Sequence, residues 1–101
     1  MNEKELFKLL KQMNLEVAYD HFTKKVAPPF LLYRNTDTTT YSADNHTYWL
    51  NKEFIVDLIT DIKDTEKEEQ LESIFNDNYL PFTKEEDFIE SEQIYQIRYF
   101  I

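Results

Sequence analysis

The chain has 101 residues, with 20 Asp and Glu against 11 Lys and Arg and a formal charge of −9 at neutral pH. That length fits one domain, and that charge opposes sequence-independent grip on a phosphate backbone or docking on an anionic membrane, both of which need a cationic surface. Cysteine and glycine are absent, which excludes disulfides and thiolate chemistry as well as phosphate-binding loops, dinucleotide fingerprints, the Gly-x-Ser-x-Gly elbow and EF-hand loops.

The predicted elements begin with a helix. Asn2 can cap it, with Glu5 three residues on as its capping-box partner. Leu6, Leu9, Leu10 and Met13 then recur at helical spacing, with Lys4, Lys8, Lys11 and Gln12 between them. The pattern predicts a helix over about residues 3–14. It is amphipathic with acids in its first turn, so it does not read as a signal peptide. No apolar run approaches the roughly 20 residues that span a bilayer.

Val17, Tyr19 and His21 alternate with Glu16, Ala18 and Asp20, which reads as a strand or an extended lead into one. Pro28 and Pro29 cannot donate ladder hydrogen bonds and break the pairing. "FLLYR", residues 30–34, reads as a strand, followed by a polar insert from Asn35 to Asn45. "TYWLNKEFIVDLIT", residues 47–60, is β-branched and aromatic. It exceeds a typical strand of about 5–6 residues, so Asn51 and Lys52 are expected to mark a bulge or tight turn. Without glycine, bends fall to Asn and Asp, which tolerate the left-handed region best among the other residues. Asn14, Asn35, Asp37, Asn45, Asn51, Asp77 and Asn78 stand at such breaks.

A second helix is expected from Asp64 or Thr65, with Thr65 and Glu68 as a capping box and acids in the first turn. Leu71, Ile74, Phe75 and Asn78 form its apolar stripe, and the charged run "KDTEKEEQLE" reads as a solvated face. Pro81 ends that region. "DFIES" and "QIYQIRYFI" then read as two closing strands. In the last, Tyr95, Ile97, Tyr99 and Ile101 share the core face, while Ile94, Gln96, Arg98 and Phe100 share the other.

This order predicts one α+β domain over residues 1–101, a mostly antiparallel sheet with both helices packed on one face. The second face is then partly exposed. Eight Phe and seven Tyr exceed what one small core needs, so some are expected where a partner docks.

Chemical constellations are sparse. Asp57, Asp61 and Asp64 with nearby Lys63 are of the type that hold magnesium, but turn and cap roles account for them. His21 and His46 have no spaced third ligand, and Ser42, Ser73 and Ser91 lack a local base. Tyr33, Tyr41, Tyr48, Trp49, Tyr95 and Tyr99 are the residue types that stack bases, yet Arg34 and Arg98 are the only arginines beside them. Core and interface packing is the simpler reading. No catalytic residue, cofactor or metal is expected, and the chain is not expected to be an enzyme.

The succession "VAYDHF", "PPFLLYR", "YSADNHTYW", "VDLITDIKD", a charged helix and "FIESEQIYQIRYFI" resembles the small tail-completion or tail-terminator-like proteins encoded by siphophages and prophages of Gram-positive bacteria. The resemblance covers residues 15–101. Its most characteristic pieces are Pro28-Pro29-Phe30, Ala43-Asp44-Asn45 with Tyr48, the Leu58-to-Asp64 segment and the closing Glu92-to-Tyr99 strand. It implies a structural role in head–tail joining, in which copies of the chain form a ring, hexameric in related terminators, that caps the tail tube and surrounds the DNA path. The implied partners are the chain itself, the tail-tube protein and the head-connector protein. The implied location is the host cytoplasm during assembly and then the virion's head–tail junction. On this reading Tyr33, Arg34, Asp37, Tyr41, Asp44, Trp49 and Arg98 are the expected contact residues, and the Asn35–Asn45 insert reaches out to the channel or a neighbour.

The alternative expectation is a small acidic inhibitor that imitates DNA. Glu66, Glu68, Glu69 and Glu72, with Glu85, Glu86, Asp87 and Glu90, would stand in for phosphates. A metal-dependent nuclease is a distant third.

Overall fold

A computed structural model describes residues 1–36 and 53–101. In chain order these form α1 (Glu3–Lys11), β1 (Glu16–Tyr19), β2 (Phe30–Asn35), β3 (Phe54–Thr60), α2 (Thr65–Asp77), β4 (Thr83–Ile89) and β5 (Ile94–Phe100). The strands make one five-stranded sheet in the order β1-β2-β3-β5-β4. Every neighbouring pair is antiparallel except β1 and β2, which run parallel. The fold is α+β, as the sequence predicts.

The expected cap of α1 is present: Asn2 Oδ1 accepts from the Glu5 amide at 2.9 Å. The helix is shorter than its apolar spacing suggests. After Lys11 the hydrogen bonds reach back only three residues, from Gln12, Met13 and Asn14 to Leu9, Leu10 and Lys11. These bonds tighten the last turn. Met13 is still buried, and Asn14 then reverses the chain at φ 58°.

The cap of α2 falls on the first of the two expected starts. Asp64, not Thr65, is the capping residue, and its carboxylate accepts from the Lys67 amide at 3.1 Å. That bond is the main reason its carboxyl titrates below the ordinary range. Asn78 is exposed rather than part of the buried stripe. It ends the helix by donating Nδ2 to the Ile74 carbonyl at 2.8 Å. Tyr79 follows at φ 58°, the Leu80 amide returns to the Phe75 carbonyl and the Tyr79 amide to that of Asn76. This is the helix stop that normally carries glycine at the Tyr79 position.

Alternation along the strands sorts the sheet into two faces. Leu31 lies opposite Leu58 and Tyr33 opposite Val56, while Val56 and Leu58 face Tyr99 and Ile97 of β5. These residues form one core with Leu6 and Leu10 of α1 and Leu71, Ile74 and Phe75 of α2. Both helices therefore cover the same face. β3 is central, and all seven of its residues are buried. Among the described residues, no helix is long and apolar enough to cross a membrane.

β4 is longer than the "DFIES" stretch that reads as a strand. It starts at Thr83, takes Thr83, Lys84, Glu85 and Glu86 into its ladder with β5, and stops at Ile89, short of Glu90 and Ser91. As an edge strand it is exposed along nearly its whole length, and an edge accommodates such charges.

Candidate interaction surface

The sheet face away from the helices carries Phe30, Leu32 and Arg34 on β2, Ile55, Asp57 and Ile59 on β3, and Gln96, Arg98 and Phe100 on β5, by the pairing register. The core cluster that includes both helices holds none of them. The central Ile55 and Ile59 are buried. Phe30, Leu32, Arg34 and Phe100 are half-buried. Beside Phe30, the Phe22 ring stands edge-on at 5.2 Å between centroids.

Asp57 and Arg98 occupy the middle of this face. Arg98 Nε donates to Asp57 Oδ1 at 2.8 Å and Nη2 to Oδ2 at 3.3 Å. Asp57 is only 8% exposed, so this carboxylate depends on its partner to offset lost hydration. The hydrogen bond to Asp57 holds the Arg98 guanidinium even more firmly in its charged form. On the outer side, Glu85 is the next cross-strand neighbour of Arg98. The row Asp57–Arg98–Glu85 thus alternates acid, base, acid across three strands.

A second polar cluster lies on the helix-covered side, between α2, β4 and β5. Glu68 is 4% exposed. Its Oε1 accepts from Lys84 Nζ at 3.2 Å, and Lys63 Nζ lies 2.6 Å from Oε2 as an ion pair without directed hydrogen-bond geometry. Lys63 also contacts Glu86. Lys84 donates to Glu72 Oε2 at 2.7 Å, and the Tyr99 hydroxyl donates to the same oxygen at 2.7 Å. Burial pushes the Glu72 carboxyl up, but Lys84 and Tyr99 together outweigh it and bring it below its ordinary value. Burial, and then the bond to Glu72, pushes the Tyr99 phenol far up. The charged run at the start of α2 is therefore not all solvated face. Glu68, Leu71 and Phe75 sit at i, i+3 and i+7, so Glu68 is one more position of the buried stripe. The signal for it was the pair of lysines, Lys63 and Lys84, that its burial requires.

The expected contact residues fall in different places. Tyr33 is in the core, where its ring meets Phe7 at 6.4 Å and Tyr19 edge-on at 5.2 Å. Burial raises its phenol, so it is a packing residue and offers little to a partner. Arg34 and Arg98 both lie on the face opposite α1 and α2. Asp37, Tyr41, Asp44 and Trp49 lie outside the described residues, as do Tyr48, His46 and Ser42. Of the tyrosines considered for base stacking, Tyr99 is fully buried. The three aspartates do not form a metal centre: Asp57 is held by Arg98 and Asp64 caps α2. Among the described residues no group of three or more His, Asp and Glu is placed to hold a metal ion. His21 is exposed, with its ring Nδ1 3.0 Å from Asp20 Oδ2.

Fold and surface together define an α+β domain in which, among the described residues, both helices lie on one side of the sheet. Comparison of the chain with protein-family models, with curated proteins and with solved structures found no match in any of the three.

Proposed function

We propose that this chain is a structural phage or prophage protein of the head–tail joining region. It completes or caps the tail tube by forming a ring through protein–protein contacts. The observation that supports this reading most is the placement, among the described residues, of both helices on one face of the sheet. Half-buried Phe30, Leu32 and Phe100 surround the Asp57–Arg98 pair on a face that neither helix covers. A small domain that leaves apolar and arginine side chains together on such a face has the composition of a contact surface. The order of motifs along residues 15–101 supplies the particular setting. In that setting the partners are sister copies, the tail-tube protein and the head-connector protein. DNA passes through the ring without sequence-specific binding. Arg34 and Arg98 are the contact residues on the described surface.

Native mass measurement of the chain alone and mixed with the tail-tube protein tests this. A closed multimer, or a stoichiometric complex with the tail-tube protein, is expected. A chain that stays monomeric and ignores that protein contradicts the proposal.

The second reading, an acidic imitator of DNA, draws on the exposed acids of β4. Strand alternation divides them between faces, and Glu86, with Glu68 and Glu72 of α2, is already engaged by Lys63 and Lys84. A pull-down that returns a nuclease or DNA-binding protein instead of a virion protein would favour this reading.

A further inference from the structure

We infer that the outer edge of β4 is a docking site for an extended, lysine- or arginine-rich segment of another protein, which adds to the sheet as a sixth strand beside β4. The inference stands on the edge itself and does not require the head–tail assignment. β4 runs seven residues, Thr83–Ile89, and among the described residues pairs on one side only, with β5. Alternate residues of such a strand direct their N–H and C=O groups away from the existing partner, as a template for one more strand.

The charges on β4 select the occupant. Lys84 and Glu86 point to the helix side and are spent on Glu68, Glu72 and Lys63. Glu85 and Asp87 lie two apart on the other face, beside a shallow depression lined also by Gln96 and Arg98. Arg98 is committed to Asp57, so Glu85 and Asp87 are the acids left to meet a newcomer. An added strand with basic residues at alternate positions places a cation opposite each of them, and like charges directly opposite are destabilising. A second copy is therefore disfavoured in the register that aligns these acids. Antiparallel self-pairing about Glu86 would set Glu85 of each chain against Asp87 of the other. The same acids that discourage edge-to-edge self-association thus admit a strand of opposite charge.

The test uses the full chain and synthetic peptides of about ten residues, long enough to match a full strand. One peptide alternates lysine with threonine and valine. A second replaces lysine by glutamate. A third keeps the lysines but carries a central proline, which cannot complete the ladder. The lysine peptide is expected to bind saturably and to slow hydrogen exchange of the outward amides between Thr83 and Ile89. The proline peptide is expected to bind at least about fivefold more weakly, and the glutamate peptide not at all. Glu85→Gln with Asp87→Asn should weaken the lysine peptide about fivefold. Glu85→Lys with Asp87→Lys should transfer the preference to the glutamate peptide. Equal binding of the proline peptide would show attraction by charge alone and overturn the inference. So would protection of amides elsewhere than β4, absence of saturable binding, or an unliganded chain whose β4 amides become protected as its concentration rises.

Discussion

Asp57 and Arg98 stand directly opposite each other on β3 and β5. Their side chains close a two-pronged ion pair on the sheet face opposite α1 and α2. The Asp57 side chain is 12% exposed and that of Arg98 31%, so the acid is the costlier partner to leave alone.

Arg98→Ala is expected to destabilise the fold by about 2 kcal/mol, between the values for exposed and fully buried pairs. Asp57→Leu combined with Arg98→Met should restore most of that loss, because no charge is then stranded. Urea unfolding of the single and paired variants measures both. Additive losses would show that the pair is not coupled.

Stability should fall with acid through the α2–β4 cluster. The folded Glu72 carboxyl titrates below its ordinary value of 4.5. Its contribution is therefore full above that value and is lost as pH falls through the folded value. Glu72→Gln should cost about 1 kcal/mol at pH 7 and flatten the decline below about pH 4.5. Denaturation midpoints from pH 7 to pH 3 check this.

The alkaline limb has the opposite origin. The Tyr99 phenol is raised above its ordinary value of 10.0, and the Lys63 and Lys84 ammoniums above 10.5. All three contributions are present below those values and are lost as pH rises toward the folded ones. Tyr99→Phe keeps the ring packing against Phe75 and Phe82 but removes the bond to Glu72. A loss of about 1 kcal/mol at neutral pH is expected, with a shallower decline above about pH 10.

Tyr79 is 91% exposed and occupies the left-handed position after α2. Tyr79→Gly should raise stability by about 0.5–1 kcal/mol, since backbone strain is relieved and almost no packing is lost. A rise in the thermal midpoint of a few degrees is the readout.

Much of this architecture was legible in particular residues. Period-two alternation marks Tyr95, Ile97, Tyr99 and Ile101 as one face; the last three are core beneath the helices, while Tyr95 is only half-buried. The Asn2 cap was legible because a cap is a local interaction. Other features depend on partners distant in sequence. The start of β4 is hidden in the sequence because Lys84, Glu85 and Glu86 carry no strand pattern of their own, and their pairing is supplied by β5. Glu68 was read as solvated because the two lysines that receive it lie outside the helical run. The parallel β1–β2 pairing was not foreseen, since parallel neighbours usually need a crossover of a dozen or more residues and here residues 20–29 suffice. Tyr33 was expected at a contact because aromatic residues serve cores and interfaces alike. Only its strand face decides between them.

The most direct test is covalent footprinting of the chain, free and then mixed with the tail-tube protein proposed as its partner. Arg34, Arg98 and Phe100 should lose reactivity on assembly, while Lys8 and Glu69 on the outer sides of the helices keep theirs. Protection of the helices with the sheet face left reactive would contradict the account.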